Sequence, residues 1–298
     1  MEEKAKQILV ILRECRDPRP PAPLSSSGCG IINSRGIRLS PNPADLCALA
    51  KALELKVASG MSVTVLATGP ERVADMLRMA LAMGADKALR VDDTLLKSGD
   101  AMAQAHILSR IFKILSPDLV CSGYRRQDQG ADPVFALAAA QSGISCVHSV
   151  LSVELAEDMV HILRKTDRGG RQMVRSPLPC TLLFEEMETA LYPSINAVVQ
   201  SLDAPIEDWG PPELGLSLAN RETCKEYTTD GEYSFPRPDP LRVTTPDPSL
   251  PAFARILALL GGGIQARQGK IHFLGAEATA DALLAIIRSE TGKTEASM

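Results

Sequence analysis

Aromatic side chains are scarce in this chain. They make up 4% of its 298 residues, with a single tryptophan. Proteins that hold single-stranded nucleic acid stack bases on aromatic platforms, and few are on offer here. A positive surplus is missing too. Thirty-two Lys and Arg stand against 36 Asp and Glu, a net charge of -4, whereas a nucleic-acid binder carries a basic excess. Long apolar runs are also absent near the start. The run Ile8–Leu12 has five residues, too few for the core of a secretion signal or a membrane span. The expectation is a soluble, reduced, cytoplasmic chain with no nucleic-acid partner and no membrane insertion.

Paired cysteines are lacking. The seven cysteines (15, 29, 47, 121, 146, 180 and 224) form no C-x-x-C pair, so neither a disulfide framework nor a zinc site is indicated. Cys121 and Cys146 sit in apolar, strand-like surroundings and read as small core residues. Catalytic signatures are missing as well: no H-E-x-x-H, no G-x-S-x-G and no Walker lysine loop. His106, His148, His161 and His272 lie within helix or strand patterns and read as structural or surface groups. Gly261-Gly262-Gly263 follows an apolar helical stretch and reads as a helix end rather than a phosphate loop. The acid pairs Asp92-Asp93 and Glu185-Glu186 read as solvated loops. No catalytic side chain and no metal site is assigned.

What is present is a core-forming chain. Hydrophobic residues make 45% and charged residues 23%, enough for one large or two smaller domains. The first half alternates short apolar runs with helical spacing. The runs are Ile8–Leu12, Ser62–Ala67, Ala88–Val91 and Leu119–Cys121. Between them lie predicted helices at Pro43–Ser59, Glu71–Met83, Asp100–Leu115 and Pro133–Gln141. In the first, Leu46, Leu49, Ala50, Leu53 and Val57 share a face. Such alternation predicts a parallel sheet covered on both sides.

From about Ser145 the pattern changes. His148–Glu154, Met159–Lys165, Arg171–Val174 and Cys180–Phe184 read as short strands, with turn signals at roughly ten-residue spacing. They predict an antiparallel hairpin extension. Tyr192–Leu202 reads as a loop and short helix. Nine prolines between 205 and 251 predict an extended arm with few regular elements. A helix at Leu250–Leu260, a strand at Lys270–Leu274 and a helix at Ala276–Glu290 follow. The expected fold is α/β: an open, mostly parallel, Rossmann-like nucleotide-binding sheet with a hairpin extension and a Pro-rich C-terminal arm. The domains are 1–204 and the arm 205–298.

The carboxyl ends of such strands form the ligand edge. Leu12-Arg13, Thr68-Gly69-Pro70 and Ser122-Gly123 meet there. Asn42-Pro43 begins a helix, where asparagine suits the cap and proline the first position. Anions bind at helix starts and glycine turns. The plainer readings stay open: Asn42 as a cap alone, and Thr68-Gly69-Pro70 as a tight turn.

Five ordered stretches carry a resemblance. They are KQILVILRECRDPRP, LSPNPADLCALAKALELK, SVTVLATGPERVADMLRMALAMGADKALRV, KTDRGGRQMVRSPLPCTLLF and LYPSINAVVQSLDAPIEDW. Together they resemble the beta (small) subunit of electron transfer flavoproteins across residues 6–216, with a weaker echo at 268–290. The resemblance implies a heterodimer with an alpha subunit that holds most of an FAD. It implies AMP, or a second FAD in bifurcating members, in this chain. Electrons would pass from an acyl-CoA-type or other dehydrogenase to a quinone oxidoreductase or other acceptor. The arm would end in a strand and helix packed on the alpha subunit or on the core.

Carried over by position, the nucleotide site is Ile11, Asn42, Pro43, Ala44, Asp45, Thr68, Gly69 and the loop Gly123, Tyr124, Arg125, Arg126, Gln127, Asp128, Gln129, Gly130, Ala131, Asp132, Pro133, Val134. The partner-docking segment is Tyr192, Pro193, Ser194, Ile195, Asn196, Ala197, Val198, Val199, with Ile195 as its apolar anchor or, in the plain reading, packed beneath the loop. The loop departs from the family pattern. Asp128 is kept, but the second aspartate is Gly130, the threonine is Ala131, and the glycine-glutamine pair is Asp132-Pro133. Asp132 suits a helix cap yet sets a carboxylate where a phosphate should lie. Arg125 and Arg126 are the expected compensating cations. The alternatives are a structural subunit with a degenerate nucleotide site, and a stand-alone adenine-nucleotide sensor.

Overall fold

In a computed structural model the chain is described over residues 6–19, 37–92, 100–156, 158–187, 192–215, 246–260, 275 and 277–284. It divides into two compact units, Met1–Phe235 and Pro236–Met298.

The first unit is built on a nine-stranded sheet. In chain order its strands are β1 (Gln7–Leu12), β4 (Ser62–Thr68), β5 (Lys87–Val91), β6 (Leu119–Gly123), β9 (Ser145–Ala156), β10 (Met159–Lys165), β11 (Arg171–Pro177), β12 (Cys180–Phe184) and β13 (Glu207–Trp209). Two small ribbons complete the set: β2 (Glu14–Arg16) with β3 (Leu39–Pro41), and β7 (Arg125–Arg126) with β8 (Gly130–Ala131). The sheet order is β11-β10-β9-β12-β6-β1-β4-β5-β13. Pairing is parallel from β9 to β13, and antiparallel only where β9, β10 and β11 form the extension.

Helices cover both faces. Ile8, Val10 and Leu12 pack with α1 (Pro43–Ser59) and α2 (Ala74–Met83). Leu9 and Ile11 pack on the other side with α3 (Ala101–Leu115) and α4 (Val134–Ser142). Alternate residues of one strand thus feed two cores, as the two-residue repeat of a pleat demands. The chain runs from β1 outward to β5, then crosses back through α3 to β6 on the opposite side of β1. The order reverses at β1 and β6, which places a crevice at their carboxyl ends.

Most predicted elements form close to their expected bounds. Pro43 opens α1, and Gly60 closes it at φ 73°, a conformation glycine adopts without Cβ strain. Other elements differ. Val57 was expected on the buried face of α1 but is exposed, because the stripe against the sheet runs through Ala44, Ala48, Ala52 and Leu55. Behind Pro70, Glu71–Val73 is a 3-10 turn that precedes α2. Strand β9 is longer than expected and carries a bulge. Ser149, at φ 58°, is skipped as β12 pairs first with His148 and then with Val150. Within the Pro-rich stretch, Glu207–Trp209 pairs with β5 as an edge strand.

The second unit contains α6 (Ala252–Leu260) and a helix at 277–284. The expected strand 270–274 and the triglycine 261–263 lie outside the described residues. No helix among the described residues is long and apolar enough to cross a membrane.

Candidate functional site

The crevice is organised by a residue that leaves β1. Arg13 follows Leu12, and its backbone N–H donates to Asp45 Oδ2 at 2.8 Å. Its guanidinium donates to the same carboxylate through Nε at 3.0 Å and Nη2 at 2.6 Å. Nη2 also reaches the Gly123 carbonyl at 2.8 Å, and Nη1 reaches Asp132 Oδ2 at 2.6 Å. The cation lies 4.6 Å from the centroid of the Phe135 ring. Two forked contacts to one carboxylate suit the planar guanidinium. Burial disfavours the charged form, but Asp45 and then Asp132 outweigh it and hold the Arg13 pKa above its ordinary value.

Asp45 is fully buried in the first turn of α1. Its Oδ1 also accepts from Gly123 N at 2.7 Å and Ser122 Oγ at 3.3 Å. That closeness explains Gly123. A Cβ there would lie 2.6 Å from both Ala44 Cβ and Asp45 Oδ1, so only glycine lets the start of α1 meet the end of β6.

Asn42 occupies the cap position of α1, but its side chain makes no capping bond. Its Nδ2 donates to the Arg125 carbonyl at 2.9 Å, and its Oδ1 accepts from Gln127 N at 3.1 Å. The cap-alone reading is thereby replaced: Asn42 clamps the 125–127 loop to the helix start. That loop is the ribbon β7–β8, turned at 127–129 and entering β8 at Gly130, whose φ is 81°.

Arg126 and Asp128 are matched within the loop. Arg126 Nε meets Asp128 Oδ1 at 3.1 Å, and Arg16 N donates to Asp128 Oδ2 at 3.0 Å. Partial burial pushes the Asp128 pKa up, but Arg16 N–H and Arg126 override it and hold it below the usual carboxylate value. Asp132 Oδ1 accepts from Val134 N at 2.9 Å, at the head of α4. Arg125 is exposed and rests over the Tyr124 ring, 5.3 Å from its centroid. Tyr124 in turn stacks on His148 at 5.2 Å. Gln129, Ala131 and Pro133 are exposed.

Beside this network is a pocket of about 190 Å³, lined among others by Ile11, Thr68, Gly69, Arg72 and Phe135. Arg72 Nη2 pairs with Glu14 Oε2 at 2.8 Å. The structure thus gathers the strand-end, helix-start and loop residues into one edge. The sequence reading places Arg13 at this edge but not its bonds to Asp45 and Asp132, and it misses Glu14, Arg72 and Phe135. An arginine immediately after a buried strand, with an aspartate in the first turn of the next helix, was the available signal.

The 192–199 segment stands apart from this edge. Ser194 Oγ accepts from Ala197 N at 3.2 Å and caps α5 (Ile195–Leu202), which packs on α2. Tyr192 is 88% exposed and Ile195 83% exposed, with Val198 and Val199 exposed beside them. Ile195 is therefore presented to solvent, not packed beneath the loop. The described residues hold no cluster of ligating side chains suited to a metal.

The family described as electron transfer flavoprotein domain matches residues 29–208. The electron transfer flavoprotein subunit beta of Clostridium acetobutylicum is 31% identical over 192 residues, covering 64% of this chain and 74% of that protein. The caffeyl-CoA reductase-Etf complex subunit CarD of Acetobacterium woodii is 30% identical over 191 residues, covering 63% and 72%. Protein FixA of Sinorhizobium fredii is 29% identical over 194 residues, covering 62% and 68%.

Proposed function

This chain belongs to the electron transfer flavoprotein family, as a subunit of the beta type, and from that premise we propose that it pairs with an FAD-bearing alpha subunit and carries electrons between a dehydrogenase and a quinone oxidoreductase or other acceptor. When bound, the flavin supplies the electron chemistry. This chain contributes the wall that covers it and the surface on which a donor docks. The relative in a caffeyl-CoA reductase-Etf complex supports a donor acting on CoA thioesters.

The observation that carries the docking role is the exposed Ile195 on a helix whose start is fixed by Ser194. An apolar side chain held out on a rigid element is the form of a binding hot spot. The pocket at the carboxyl edge is smaller than the roughly 300–1,000 Å³ usual for small-molecule sites. This supports a flavin held by the partner and simple transfer over two-flavin bifurcation. The first unit, with β13 at its edge, would form the body of the subunit, and the second unit an arm for the alpha subunit.

Co-expression with candidate alpha subunits tests the pairing. A yellow heterodimer with the flavin absorption bands is the expected product. A chain that stays monomeric and colourless beside every candidate would refute it.

A further inference from the structure

The family likeness implies an adenine nucleotide at the carboxyl edge, and the residues found there do not fit one. We infer that the Asp132 carboxylate stands in for a nucleotide phosphate at the head of α4, so that this chain holds no adenine nucleotide in its working pair. The inference deepens the pairing proposed above and rests on it.

A phosphate at a helix start needs free N–H donors and a field that favours negative charge. Asp132 already takes one such donor and sets its own charge in that field. Asp132 Oδ1 takes the Val134 N–H at 2.9 Å, and Asp132 Oδ2 takes Arg13 Nη1 at 2.6 Å. The two side chains are each 9% exposed, so this anion is built into the fold. A phosphate reaching the same donors would have to expel a buried carboxylate from two partners and then sit beside its charge.

The surrounding cations offer no substitute. Arg13 is shared between Asp45 and Asp132, Arg126 is held by Asp128, and Arg72 by Glu14. Three guanidinium groups thus face four carboxylates, which leaves the edge without a positive surplus. Arg125 faces solvent over Tyr124 and does not line the pocket. Asn42 spends both ends of its amide on the loop backbone. Gly123 is explained by the approach of Ala44 and Asp45, without any ligand.

The test is acid extraction of the purified heterodimer, with chromatography of the released nucleotides, followed by AMP titration of the complex and of the full chain alone. Extracts are expected to contain FAD without AMP, and titration to show no saturable binding. Asp132→Asn keeps the shape and removes the charge; Asp132→Gly also opens the space. Both are expected to gain AMP affinity at least tenfold, read by calorimetry and by an AMP-dependent rise in Tm. Stoichiometric AMP in the wild-type extract overturns the inference while leaving the pairing intact. Folded variants that gain nothing overturn the assignment to Asp132. Should no flavin-bearing partner be found, the pairing fails, and titration of the chain alone still decides the nucleotide question.

Discussion

Arg13 and Asp45 are joined three times, through one backbone N–H and two guanidinium nitrogens, within 3.0 Å and almost wholly buried. Removing the arginine leaves a buried carboxylate without its charge partner. Arg13→Ala is expected to lower stability by about 3–5 kcal/mol. Denaturant unfolding of Arg13→Ala, Asp45→Ala and the double variant measures it. A double variant as unstable as the sum of the singles would show that the pair is not coupled.

Gly123→Ala introduces a methyl group into contacts of 2.6 Å. Overpacking of this kind typically costs about 1–3 kcal/mol. The loss should show in a lower denaturation midpoint and in faster hydrogen exchange at the start of α1. A variant with unchanged stability would mean that α1 can withdraw from β6 without penalty.

These two positions differ in how far the sequence discloses them. The ends of α1 are legible because Pro43 and Gly60 act locally, each through its own backbone preference. The strands are legible because both faces are covered and the runs are continuously apolar. Arg13 with Asp132 is not legible, since 119 residues separate them and only the crossing from β5 back to β6 brings them together. The bulge at Ser149 is hidden because serine has no strong preference for positive φ. Strand β13 is hidden by the prolines around it, which mask a short edge strand that makes few hydrogen bonds. Asn42 is legible as the residue that begins α1, whereas its side-chain partners, the Arg125 carbonyl and the Gln127 N–H, lie 83 and 85 residues on.

A pH effect is expected at His148. Partial desolvation first, and then Arg164, hold its pKa below the ordinary 6.5, with Glu185 opposing. A lowered value in the fold means that the imidazole is kept neutral relative to the unfolded chain. Its contribution to stability is complete above 6.5 and is lost as pH falls through the folded value. Wild type should lose stability on mild acidification relative to His148→Gln. An NMR titration midpoint above 6.5 would contradict this.

Ile195→Ala should leave the fold within about 0.5 kcal/mol of wild type, as for surface positions generally. Electron transfer from the donor dehydrogenase should weaken by about 2 kcal/mol, roughly thirtyfold in apparent KM. Denaturant unfolding reads the first, and steady-state flavin reduction against donor concentration the second. Unchanged kinetics would remove Ile195 from the docking surface.

The reach of Arg13 carries a last consequence, for assembly. Its guanidinium ties β1 to a helix start 32 residues on, to a strand end 110 residues on, and to a loop 119 residues on. The helix is α1, which packs mainly on β1 and β6, and the other two segments are the end of β6 and the loop behind it. The cluster closes only once the chain has crossed back from β5 and set β6 beside β1, so its contacts are among the non-local ones that form slowly. Amide protons of Gly123 and Val134 should therefore exchange with the whole unit and not by local opening, even though both flank a loop. The ligand edge is in this sense a latch, and it is shut by the protein's own charges.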